Sequence, residues 1–148
     1  MLYSTLILPY YYYCNIIWAC NYPSTLHKLS VLQKRAMRII SSAGYRDHAA
    51  VLFNRHRQLT LTDINRLQIA VFVFKSLNHF LPSLFNNYFM CNSSIHSHFT
   101  RSANNLHPIK HRSKTRYFSI KVQGPIVWNA LTSDVCVTLL VCIDLNVW

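Results

Sequence analysis

From Tyr3 to Trp18 apolar and aromatic residues follow one another almost without interruption and predict an apolar helix, broken near Pro9. Pro23-Ser24 ends that run and offers Ser24 as an N-cap for the next helix. Thr25–Ser41 is the clearest amphipathic pattern in the chain. With about 100° between successive side chains, Leu26, Leu29, Leu32, Ala36, Met37, Ile39 and Ile40 share one half of the wheel. His27, Lys28, Lys34, Arg35 and Arg38 share the other, and Val31 alone is misplaced. Gly44 suits a helix stop, and a short helix over about His48–Arg57 carries Val51, Leu52 and Phe53. Thr62 is the expected N-cap of a helix over Asp63–Asn78, where Asp63 complements the helix dipole. The stretch Ile69-Ala70-Val71-Phe72-Val73-Phe74 leaves that helix no polar face, so it belongs in a core. One or two further turns are predicted from Pro82 to Tyr88, with Pro82 in the first position.

After Met90 the helical periodicity is lost. Cys91–Lys114 is polar, rich in His, Ser and Asn, and reads as an extended or loop region. Strand potential follows around Tyr117-Phe118-Ser119-Ile120, and Gly124-Pro125 opens a last short helix holding Val127, Trp128 and Leu131. The prediction is a mostly α protein built as a small helical bundle. Residues 1–90 form the helical body, 91–122 a basic polar arm with a short strand near 116–122, 123–134 a closing helix and 135–148 an apolar tail. Only two glycines occur, Gly44 and Gly124, which argues against phosphate-cradling loops and tight hairpins.

Charge changes this picture most. The 148 residues contain no glutamate and four aspartates, Asp47, Asp63, Asp134 and Asp144, against 15 lysines and arginines, for a net charge of +11. Such an excess points to a polyanionic partner, most simply RNA or DNA. The arm carries Arg101, Lys110, Arg112, Lys114, Arg116 and Lys121, with Tyr117 and Phe118 interleaved and no acid between Asp63 and Asp134. Cations reach phosphates and aromatic rings stack on unpaired bases. Six neutralised phosphates would give log affinity a slope of roughly −4 to −5 against log salt. The competing reading is a solvated loop kept soluble by its charge. Lys34, Arg35 and Arg38 form a second candidate contact on the amphipathic helix, against the bland reading of an exposed helix face. Membrane-surface contact by that helix is less favoured, because the face lacks the aromatic flank of such anchors.

Other chemistry is poorly provided for. Acid–base work or divalent-metal binding by carboxylates needs acids close together, and the closest pair here, Asp134 and Asp144, is ten residues apart. Cys91, His96, His98, His107 and His111 have a spacing unlike common structural zinc patterns, with no C-x-x-C half-site, so neither metal nor cofactor is expected. Nothing places a base beside a cysteine for nucleophilic catalysis. The five cysteines, odd in number, read as reduced and mostly buried thiols of an intracellular protein, nuclear or cytoplasmic and not secreted. Met1–His27 lacks the basic segment and cleavage site of a signal peptide. Pro9, Asn15, Asn21 and Pro23 interrupt it as a membrane span, and Asp144 breaks the short apolar run near the C-terminus.

Several phrases taken in order carry a further signal. They are Leu8-Pro9-Tyr10, Tyr13-Cys14-Asn15-Ile16-Ile17-Trp18, Leu32-Gln33-Lys34-Arg35-Ala36-Met37-Arg38-Ile39-Ile40, Phe80-Leu81-Pro82, His98-Phe99-Thr100-Arg101 and Gln123-Gly124-Pro125-Ile126-Val127-Trp128-Asn129-Ala130-Leu131. Their order and spacing resemble the region after the polymerase core in reverse transcriptases of non-LTR, LINE-type (jockey-like) retrotransposons. The resemblance spans about residues 2–134. It implies a thumb-side or post-thumb segment that holds template RNA or primer duplex, with the metal-binding aspartates of the palm outside these residues. The implied protein is a truncated remnant of an RNA-directed DNA polymerase, not an enzyme as it stands, and the absent upstream polymerase domain is a second candidate partner. Val135–Trp148 departs from the family, which continues with a basic helix there; a frameshift, a splice or decay of the element accounts for such a tail. Two other readings stand beside this one: an element fragment without function, and a membrane-associated basic, apolar protein.

Overall fold

A computed structural model describes residues 2–131 apart from Ser97 and Phe99. The tail at 135–148 and the end of the predicted closing helix lie outside the described residues. The chain forms helices α1 (Leu8–Tyr12), α2 (Asn15–Trp18), α3 (Pro23–Ile40), α4 (Ala49–Arg55), α5 (Leu61–Leu77), α6 (Asn92–Ile95), α7 (Lys114–Tyr117) and α8 (Ile120–Asn129). A π-helical stretch, Tyr3–Ile7, precedes α1, and a 3-10 turn, Ser83–Phe85, follows α5. The fold is mostly α, as predicted. Among the described residues there is no β-strand, only an isolated antiparallel bridge between Cys91 and Leu106.

The short strand expected near 116–122 is not formed, because α7 and α8 occupy that segment. A serine cap on α7 and the backbone turn that follows it outweigh the β-propensity of Tyr117, Phe118 and Ile120. Ser113 caps α7, its hydroxyl oxygen accepting the Arg116 N–H at 3.2 Å. The Ser119 carbonyl accepts the N–H groups of Val122 and Gln123 and so opens α8. The last helix therefore begins at Ile120, and Gly124-Pro125 lies inside it.

Contacts divide the chain into two compact units, up to Gln68 and from Ile69 onward, with the boundary inside α5. In the first, the break in the N-terminal helical run falls at Tyr13-Cys14, where Cys14 takes a left-handed φ of 49°. Pro9 sits instead in the first turn of α1, where its missing N–H does no harm. Likewise α3 starts with Pro23 at N1 and Tyr22 at the N-cap, ahead of the predicted Ser24. Tyr3, Met37, Ala49 and Phe53 form one buried cluster; Tyr11, Leu61 and Ile64 form another, with Trp18 and Leu26 packed on it.

The inward line of α3 is Leu26, Ser30, Gln33, Met37 and Ile40, all buried or half-buried. Leu32 and Ile39, predicted to face inward, are 56% and 69% exposed. Gln33 takes the central place at 1% exposure and is fully bonded. Its amide nitrogen donates to Tyr3 Oη at 2.7 Å and to the Leu59 carbonyl at 3.1 Å. Its amide oxygen accepts the Leu61 N–H at 2.9 Å, a donor in the first turn of α5 that no helical carbonyl satisfies. Thr60, not Thr62, caps α5: its carbonyl accepts the Ile64 N–H and its hydroxyl contacts Asp63.

Burial raises the hydroxyl pKa of Tyr3, Tyr11 and Tyr12 above the ordinary 10.0, and negative charge on Tyr3 adds to the effect at Tyr11 and Tyr12. These phenols bind protons more tightly in the folded chain than in the unfolded one. Stability is then full below pH 10 and falls as pH rises through the folded values. Urea midpoints should decline above about pH 10, in step with tyrosinate absorbance. A midpoint flat across that range would contradict the burial of these rings.

In the second unit Ile69, Ala70, Val73 and Phe74 of α5 are buried, as the apolar run predicted. The Ser76 hydroxyl donates to the Phe85 carbonyl at 2.7 Å. Phe72, Phe85, Tyr88 and Phe89 form an edge-to-face cluster. Gly124 of α8 lies so close to it that a Cβ there would stand 2.6 and 2.7 Å from Cε1 and Cζ of Phe89, and 3.1 Å from Val73 Cγ2. The three described thiols are free but less buried than expected: Cys14 is exposed in its left-handed turn, and Cys20 and Cys91 are half-buried. Among the described residues no helix is long and apolar enough to cross a membrane.

Candidate nucleic-acid interface

The polar region after Met90 is pinned to the second unit at defined points. Leu106, 1% exposed, is held in both directions by the Asn129 amide of α8, which accepts its N–H and donates to its carbonyl, each at 2.9 Å. The His107 N–H donates to the Met90 carbonyl at 2.7 Å, and its ring Nδ1 lies 3.0 Å from Asn92 Oδ1. Residues 107–113 then run from this anchor to the Ser113 cap of α7, with Pro108 stiffening the backbone.

That tether shapes an open concavity of about 1100 Å³ lined by His107–Ser113 and Arg116. It brings together Lys110, Arg112 and Arg116, three of the six cations predicted on the arm. All three are exposed. The His111 ring packs against Tyr117 at 5.1 Å between centroids, tilted by 45°, and Phe118 meets Tyr117 edge to face. Tyr117 is 37% exposed, so part of an aromatic face stands beside the cations. Sequence reasoning noted His107 and His111 only as metal candidates; their alternation with Lys110 and Arg112 along one stretch was the signal for a shared wall.

The other predicted residues do not line this concavity. Arg101 and Lys114 are exposed and do not line it. Lys121 lies with Nζ 5.2 Å from the Tyr88 ring centroid, a cation–π contact that engages its charge. In the first unit Lys34 and Arg35 are exposed on α3. Arg38 is half-buried and donates from Nε to the Asp47 carbonyl at 3.0 Å, so it also ties down the loop after α3.

The two aspartates among the described residues are hydrogen-bonded within their own turns. The Asp47 side chain accepts the Gly44 N–H at 2.7 Å, and the Asp63 side chain accepts from the Thr60 hydroxyl. Among the described residues no group of three or more His, Cys, Asp or Glu converges as a metal site would require. No family model, no curated protein and no solved structure matches the chain.

Proposed function

We propose that the chain is a nucleic-acid-binding module similar to the post-palm region of a non-LTR reverse transcriptase, gripping RNA without catalysing polymerisation itself. The observation that carries this reading is the grouping of Lys110, Arg112 and Arg116 on one tethered wall beside the Tyr117 ring. A flexible backbone with phosphates every few ångströms fits such a wall, and an unpaired base can stack at its aromatic edge. Lys34 and Arg35 on α3 offer a second phosphate contact.

Fluorescence anisotropy with a labelled single-stranded RNA tests it. Micromolar binding is expected at ~50 mM salt, weakening steeply by ~200 mM. The triple variant Lys110→Ala/Arg112→Ala/Arg116→Ala should reduce the salt slope by about 2, the share of three phosphates on a single strand. If the parent chain shows no micromolar affinity at low salt, the reading fails. An unchanged slope in the variant would instead move the contact away from this wall.

A further inference from the structure

The RNA reading makes no use of the apolar surface of the first unit. Leu6, Ile7, Tyr10, Tyr11, Trp18 and Leu29 line a recess of about 480 Å³, within the range of formed ligand recesses. Its floor is tied, since Tyr11 Oη donates to the Leu29 carbonyl at 3.3 Å. Leu6 and Tyr10 are 62% and 80% exposed at its edge. On α3 a seam continues from Leu29 through Leu32, Ala36 and Ile39 at the spacing i, i+3, i+7, i+10. Apolar side chains exposed in a row, rather than scattered, mark an interaction site. Lys28 and Arg35, seven residues apart and both exposed, border this seam on the helix wheel.

We propose that the recess and seam dock an amphipathic helix of a partner protein, whose apolar stripe enters the recess and whose flanking acids meet Lys28 and Arg35. The charge of the rim selects this occupant. A second copy in a two-fold arrangement would set the same patch against itself and bring like charges together. Nor has it free carboxylates to offer from this unit, since Asp47 and Asp63 are bonded within their own turns. A bilayer takes an apolar face laid flat in its interface, whereas the recess is sized to receive side chains. Nucleic acid finds no cation among the residues lining the recess.

The proposal shares only Arg35 with the RNA contacts, and it is tested on the full chain, without nucleic acid, with two synthetic helical peptides. Both carry leucine at i, i+3, i+7 and i+10; one has glutamate beside the stripe and the other lysine. By anisotropy the glutamate peptide should bind about five- to tenfold more tightly at low salt, the preference fading as salt screens the rim. Lys28→Glu/Arg35→Glu should reverse that preference. Leu32→Ser/Ile39→Ser, at exposed positions and with an unchanged thermal melt, should weaken both peptides. Equal affinity for the two peptides, no binding of either, or a preference that survives charge reversal would overturn the proposal. So would binding to phosphatidylserine vesicles, or self-association in sedimentation, that the double serine variant abolishes.

Discussion

Replacing Gly124 by alanine is expected to lower the melting temperature by about 5–10 °C, the equivalent of about 2–3 kcal/mol in a chain of this size. The sign is the informative part. In a helix interior alanine is ordinarily better than glycine by about 1 kcal/mol. Here the new methyl would meet the Phe89 ring at 2.6 Å and Val73 at 3.1 Å. Phe89 cannot simply swing aside, because it is 7% exposed and holds edge-to-face contacts with Phe72 and Tyr88. A second substitution separates crowding from a helix-specific effect. Phe89→Leu should be less harmful in the Gly124→Ala background than alone, with a coupling of about 1–2 kcal/mol. A Gly124→Ala variant that melts at or above the parent temperature would mean that α8 does not approach this cluster so closely.

The second large effect is expected at Gln33. Gln33→Leu keeps the size and helix propensity of the side chain but leaves the Leu61 N–H and the Leu59 carbonyl without their partner, and Tyr3 loses its donor. Each buried polar group left unpaired costs about 1–3 kcal/mol. Allowing for the apolar surface gained, the net loss should be about 3 kcal/mol. A urea titration should show a lower midpoint with an unchanged slope. Tyr3→Phe removes one member of the same network, so the double variant should lose less than the sum of the two. Additive losses would mean that Tyr3 and Gln33 do not share this bond.

These two positions also mark how far the sequence could be read. Periodicity located α3 and α5, and the apolar run in α5 correctly announced burial, because a helix apolar on every face has nowhere else to go. Periodicity alone put the inward face of α3 too far toward Leu32 and Ile39. It assigned Gln33 to neither face, and a glutamine with three available partners is stable inside. The signal was present in the spacing of Leu26, Met37 and Ile40, which encloses position 33.

At the other end, Tyr117, Phe118 and Ile120 suggested a strand because aromatic and β-branched residues favour extended chains when nothing local opposes them. Ser113 opposes them by capping α7, and α8 opens from the Ser119 backbone carbonyl. The cations of the candidate interface were legible one by one as an excess of charge. Their grouping was not, since it depends on the clamp between Leu106 and Asn129, a pairing 23 residues apart that no local pattern announces. The contact of Lys121 was illegible for the same reason: its partner ring, Tyr88, lies 33 positions earlier.

The two described aspartates are bonded within their own turns, and the arm's cations have no carboxylate near them in the chain. With four aspartates against 15 lysines and arginines, the protein carries few internal counterions. Its positive field has to be balanced from outside, as in a polyelectrolyte. Salt then acts in opposite directions on two properties of one molecule. By screening self-repulsion it favours the compact chain, and by competing for the same cations it loosens any polyanion held there.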